Sequence, residues 1–222
     1  MRTRQGTGAQ NKHSEGKTPL TPLWLHASEP ASFPSTIVRR KELRYELPLF
    51  ADWTATPEVL RSPMQIDDVY RGPVSTDWLV VSFMPKAVPG HDMRRWIELP
   101  MAISGFPSMP IAMKAGPGTT LAAWNYEGNS AAYIAKLGVD EMHGFTGLAR
   151  FGQAVARVHL LMLRKTNLAW MFCLSLHSKA GNGREWAILR EDCKRAGNVF
   201  GDLRLDTSAA LLASRPVKQT RR

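Results

Sequence analysis

The chain comprises 222 residues, 44% hydrophobic and 22% charged, a composition that fits one globular domain with a sizeable core. No stretch approaches the ~20 apolar residues of a spanning helix, which excludes a helical membrane protein. The formal net charge of +10 suggests nucleic acid or an anionic surface. It lies mostly at the ends: Arg2, Arg4, Lys12 and Lys17 against Glu15 put +3 on residues 1–18, and Arg215, Lys218, Arg221 and Arg222 put +4 on residues 207–222. That distribution favours two solvated cationic tails over a folded basic groove.

Residues 1–40 are rich in Gly, Ser, Thr and Pro, with Pro19, Pro22, Pro30 and Pro34 breaking every periodic pattern, and read as a disordered basic leader. Its few apolar residues, Leu23, Trp24, Leu25 and Phe33, are candidates for a short docking motif. The first eighteen residues lack an apolar h-region, so neither a secretory signal nor a lipid-bearing Cys is expected, and the cytoplasm is the default compartment. Arg44 to Leu49 reads as an edge strand that tolerates Pro48 near its end, followed by a turn at Asp52 and Trp53. Trp78 to Met84 is a β run. Asp92 is placed to cap a helix through Leu99 that Pro100 ends. Ile111 to Lys114 and Leu121 to Glu127 bracket Gly116-Pro117-Gly118 as a hairpin, with Trp124 and Tyr126 on one strand face. Residues 128–152, rich in Gly and small side chains, read as an irregular excursion with one helical turn.

The last third carries the strongest pattern. Arg157 to Lys165 and Leu168 to Leu176 are apolar segments of strand length separated only by Thr166 and Asn167, a hairpin signal. In the second, Leu168, Trp170, Phe172, Leu174 and Leu176 share one face and Ala169, Met171, Cys173 and Ser175 the other, so neither face suits open water and the hairpin is central in its sheet. After a Gly-rich break, Trp186, Leu189, Cys193, Ala196 and Phe200 recur at helical spacing, Gly201 is suited to a left-handed cap, and Leu203 and Leu205 lead back to the core. The expected fold is α+β: a single antiparallel-rich sheet covered by helices, an α/β/α sandwich over residues 41–206, with a basic tail over 207–222.

Residues that carry chemistry are scarce. The six histidines never fall four apart as ligands on one helix face would, so no metal site is expected. Glu141 with His143, and His91 with Asp92, are short acid-histidine pairs of a kind common on surfaces. Gly116-Pro117-Gly118-Thr119-Thr120 lacks the Lys and following helix of a phosphate loop, and no nucleophile elbow surrounds Ser175 or Ser178. Cys173 and Cys193 read as small buried hydrophobes. No catalytic residue, cofactor or metal is therefore assigned. Trp124 and Tyr126 are the candidates for contact with a partner protein. With Lys114, Lys136 and Arg150 they are also the candidates for stacking on nucleic acid, although such strand aromatics are more often core. The tail residues Arg2, Arg4, Arg215, Lys218, Arg221 and Arg222 could hold phosphate backbones in a salt-sensitive way.

The order of elements, carried by Tyr45-Glu46-Leu47-Pro48 with Trp53, by Trp78 to Met84 ahead of Asp92 to Leu99, and by the ending Arg195 to Leu205, resembles the PsbP/Mog1/DcrB superfamily over residues 41–206. That resemblance implies a non-catalytic binding module: such domains serve in photosystem assembly, as partners of small GTPases, as bacterial lipoproteins and as cytoplasmic adaptors that chaperone secretion effectors. The chain departs from the lipoproteins in lacking a signal and lipid-bearing Cys, and from the short adaptors in its leader and its 128–152 insertion. The first functional expectation is thus a protein-binding adaptor. A nucleic-acid-associated protein and an enzyme of unknown reaction are the alternatives.

Overall fold

The computed structural model describes residues 33–62, 65–86, 119–128, 130–151, 154–178 and 185–208. Its most regular part is the hairpin of β8, Ala154–Lys165, and β9, Leu168–His177, in which Lys165 faces Leu168 across the two-residue turn. Thr166 takes φ 51° to close it. As the two-sided apolar pattern requires, β9 is interior: β5, Trp78–Met84, pairs with its other edge. With β3, Glu58–Arg61, β4, Ile66–Arg71, β6, Thr119–Gly128, and β7, Glu141–Phe151, these strands form a seven-stranded antiparallel sheet in the order β3-β4-β5-β9-β8-β7-β6.

A second, three-stranded antiparallel sheet corrects the expected fold class. β1, Ser35–Arg40, β2, Tyr45–Phe50, and β10, Arg204–Leu205, pair in the order β1-β2-β10. The protein is predominantly β, and the described residues contain two α-helices: α1, Ala131–Leu137, and α2, Glu185–Gly201. It is not a single sheet sandwiched between helical layers. The small sheet and α2 share one face of the large sheet. Leu47 and Leu49 of β2, Leu79, Val81 and Phe83 of β5, Trp170, Phe172 and Leu174 of β9, and Ala196, Val199 and Phe200 of α2 form one buried cluster. Phe172 joins the three, meeting Tyr45 edge-on at 5.9 Å and Phe200 at 6.4 Å. Burying each such side chain contributes roughly 1.5–3 kcal/mol. On the opposite face Trp78, Val80, Leu160, Met162 and Cys173 are equally enclosed, which accounts for the double-sided apolar reading of β9.

Three local expectations change. β2 lies between β1 and β10, although β10 pairs only with Tyr45 and Glu46 and leaves Pro48 beyond the paired stretch. β1 occupies residues read from composition as part of the leader. Within 128–152 the described residues are regular. Ser130 accepts from the Tyr133 amide at the start of α1, Gly138 ends it at φ 66°, and the buried Tyr133 and Leu137, four apart, fix its inward side. β7 follows, holding its glycines in a strand because β6 and β8 pair on both edges. Gly201 closes α2 as its last residue without a left-handed conformation, while Leu203 is fully buried as expected. The expected helix Asp92–Leu99, the strand Ile111–Lys114, the turn Gly116–Gly118 and the greater part of both tails lie outside the described residues.

Candidate functional site

The hairpin joining β1 to β2 concentrates the positive charge of the folded part. Arg39 and Arg40 end β1, Lys41 and Arg44 lie in the connection, and Arg44 adopts φ 61° so that β2 can return antiparallel. The connection is anchored from three sides. Leu43 is fully buried and its carbonyl accepts from Trp170 Nε1 at 2.8 Å; the Arg44 carbonyl accepts from the Asp206 amide at 2.9 Å; and Glu42 accepts from Arg61 at 2.6 and 2.9 Å.

Where the chain returns as β10, Arg204 comes beside Glu46, and a depression of about 530 Å³ opens between the hairpin and residues 204–206. Five cations line it, Arg39, Arg40, Lys41, Arg44 and Arg204, against the carboxylates of Glu46 and Asp206. Arg39 contacts Glu46 at 2.6 Å and Arg204 approaches the same carboxylate at 3.8 Å, both guanidinium side chains remaining about three-quarters exposed. Lys41 and Arg44 form no ion pair among the described residues. The depression therefore carries a cationic surplus open to an incoming anion.

Beneath it lies a buried polar network between the sheets. Arg40 donates to both oxygens of the fully buried Asp68, at 2.7 and 3.0 Å. The Tyr45 hydroxyl lies 2.6 Å from Asp68 Oδ2 and 2.7 Å from the Tyr70 hydroxyl. The Asp68 hydrogen bond holds the Arg40 guanidinium above its ordinary range. Burial drives the Tyr45 phenol far up, and Tyr70 up to about 12. Both phenols keep their protons at neutral pH, and the network orients Arg40 and ties the sheets together.

A second polar cluster lies under α2. Asp192 is buried, accepts from Ser178 Oγ at 3.2 Å and is approached by Arg157 at 3.6 Å; burial pushes its carboxyl up, against the opposing pull of Arg157. His159, fully buried, pairs its Nδ1 with Thr146 Oγ1 at 3.2 Å and is pushed down to about 3 by burial, with Arg157 adding to the effect. Ser178 thus hydrogen-bonds to a carboxylate and not to an imidazole. On the far side of the sheet Glu141 bonds His143 Nε2 at 2.7 Å and also pairs with Arg164. No group of three His, Cys, Asp or Glu residues placed to hold a metal occurs among the described residues. Cys173 and Cys193 are buried.

Of the residues singled out from sequence, Trp124 and Tyr126 fall on β6, which is described by its backbone alone. Tyr126 pairs with Phe145, and Trp124 falls in an irregularity between Ala122 and Asn125. Lys136 reaches from α1 to the Gly201 carbonyl at the end of α2. Lys114, Arg2, Arg4, Arg215, Lys218, Arg221 and Arg222 lie outside the described residues. The basic hairpin was not singled out, although its signal is present: Arg-Arg-Lys-Glu-Leu-Arg stands between two strand-length segments. No protein-family model matches the chain, and no curated protein matches it significantly in sequence.

Proposed function

We propose that this chain is a non-catalytic module that binds another protein, and that it engages an acidic segment of that protein at the cationic depression. The supporting observation is the surplus of positive charge on a rigidly anchored hairpin: five cations face two carboxylates, and among the described residues Lys41 forms no ion pair while Arg44 interacts with Asp206 beyond ion-pair distance. A surface that served only solubility would not need this connection anchored through Leu43, Arg44 and Glu42. Two buried thiols are in keeping with a reducing compartment such as the cytoplasm.

Nucleic acid is the second reading, because the same cations and those of Arg2, Arg4, Arg215, Lys218, Arg221 and Arg222 could hold phosphates. Fluorescence anisotropy of the full chain with a labelled glutamate-rich peptide and with a labelled DNA duplex separates the two. Peptide binding that weakens about tenfold or more in Lys41→Glu/Arg204→Glu, with duplex binding lost at physiological salt, supports the protein-binding reading. Duplex binding that survives physiological salt, with no peptide binding, overturns it.

A further inference from the structure

Building on that reading, we infer that the partner's acidic segment binds as an added β-strand on the outer edge of β1, antiparallel to it, with an acidic residue followed two positions later by an apolar one. β1 ends its sheet, and no described strand pairs with its outer side. Six residues is enough for an added strand, and Ser35, Thr36, Ile37 and Arg39 are exposed along it. Such an edge offers unpaired backbone donors and acceptors, the usual basis of strand addition.

The side chains define what would fit. In β1, Val38 turns to the core and Arg40 to Asp68, so Ile37 and Arg39 share the outward row. Ile37 is one of the few large apolar side chains left in solvent, at 51% exposure, and Arg39 extends beside it. Residues directly opposite each other on adjacent strands touch, and opposite charges or apolar pairs there are favourable. An antiparallel strand meets Arg39 first and Ile37 two residues later, giving the order acidic-x-apolar. Acidic residues further towards its N-terminus would reach Lys41 and the depression. Antiparallel pairing is the somewhat stabler arrangement per residue. The bland alternative is that Arg39, Arg40 and Lys41 only blunt the edge against self-association. Charges that repel a second copy of this strand also attract an acidic one, so a binding measurement has to decide.

Of the other terminal strands, β10 has two residues and β3 four, against six in β1, and β6 is described by its backbone alone.

The test uses the full chain and four synthetic peptides: one with acidic-x-apolar spacing, the same peptide N-methylated at alternate amides, a scramble of equal charge, and a version with Lys in place of the acid. Backbone amide shifts are followed by NMR and affinity by anisotropy. The expected result is binding of the first peptide with shifts concentrated at residues 35–40. It should weaken about tenfold on N-methylation, on scrambling, and in Ile37→Lys or Arg39→Glu, and the Lys peptide should bind Arg39→Glu in preference to the native chain. Equal binding of the scramble and of the N-methylated peptide would overturn strand addition while leaving recognition of acidic protein intact. Failure of every acidic peptide would overturn both.

Discussion

The Tyr45 hydroxyl lies 2.6 Å from Asp68 Oδ2, a buried hydrogen bond that crosses from the small sheet to the large one. Arg40 reaches the same carboxylate from the neighbouring strand, so one acidic side chain fixes two strands of the small sheet against β4. The cationic depression rests on this joint, because Arg40 and Tyr45 belong to both.

Removing the carboxylate should cost more than removing the phenol. Tyr45→Phe leaves the Arg40 pair in place and is expected to cost about 1–2 kcal/mol, through one lost bond to a charged group and an unpaired Tyr70 hydroxyl. Asp68→Ala strands Arg40 and leaves the two phenols only each other as partners, and is expected to cost about 3–5 kcal/mol, towards the lower end because Arg40 is part-exposed and can rehydrate. Chemical denaturation of both variants checks the order; a smaller loss for Asp68→Ala would show that the network contributes little.

Alkaline stability should be limited by the same pair. Tyr45 and Tyr70 have folded pKa values raised by burial, Tyr70 to about 12, while an unfolded Tyr titrates near ~10. The unfolded state therefore releases its protons first, and their contribution, complete below about pH 10, declines as pH rises through the window up to about 12. Stability followed by circular dichroism should fall over this range in the native chain and less steeply in Tyr45→Phe/Tyr70→Phe. Phenolate absorbance should report unfolding together with ionisation.

Gly72 is set by close approach. A Cβ there would lie 2.6 Å from Asp77 Cβ and 2.7 Å from the Trp53 indole, both in buried residues. The turn it opens is closed by the bond from its amide to the Asp77 carbonyl at 2.8 Å, and Asp77 Oδ1 in turn accepts from the His177 amide at 2.5 Å. Gly72→Ala is expected to lose about 1–3 kcal/mol as Trp53 or the turn shifts. A melting temperature unchanged from the native chain would show that the indole moves freely.

Asp140 fastens the start of β7 to the β8–β9 turn, taking the Lys165 ammonium at 2.7 Å and the Thr166 amide at 2.8 Å. Partial burial raises its pKa, but Lys165 and the Thr166 amide outweigh this and hold the carboxyl below its ordinary range. For a lowered carboxylate the stabilisation is present above the unfolded pKa, near ~3.9, and is lost as pH falls through the folded value. Asp140→Asn should therefore cost about 0.5–1 kcal/mol at neutral pH, a figure already reduced for solvent screening. The gap to the native chain should close below about pH 4. A gap that persists in acid would assign the effect to lost packing.

The legible parts of the chain were those whose local pattern already implied burial. β5 matches its apolar run residue for residue, and β9 follows from apolar side chains on both faces, since only a strand enclosed on both sides tolerates them. α2 follows from the spacing of Cys193, Ala196 and Phe200. β1 was hidden because Ser35, Thr36 and Arg39 are exposed and its neighbours are proline-rich, so composition joined it to the leader. α1 had signals in Ser130 and Gly138, but seven residues were outweighed by the surrounding glycines.

Local periodicity thus determined that the chain builds an interior antiparallel hairpin and an amphipathic helix, because alternation and helical spacing are properties of neighbouring residues. Whether the cover of that hairpin was helical or a second sheet was decided only on folding. β10 is two residues long, and it is a strand because Leu203 is drawn into the core and sets Arg204 and Leu205 against β2. The depression was settled by the same step. Its walls come from residues 39–46 and 204–206, and Arg204 meets Glu46 only when the last helix carries the chain back across the sheet, a contact between residues too far apart in the chain for any sequence window to contain.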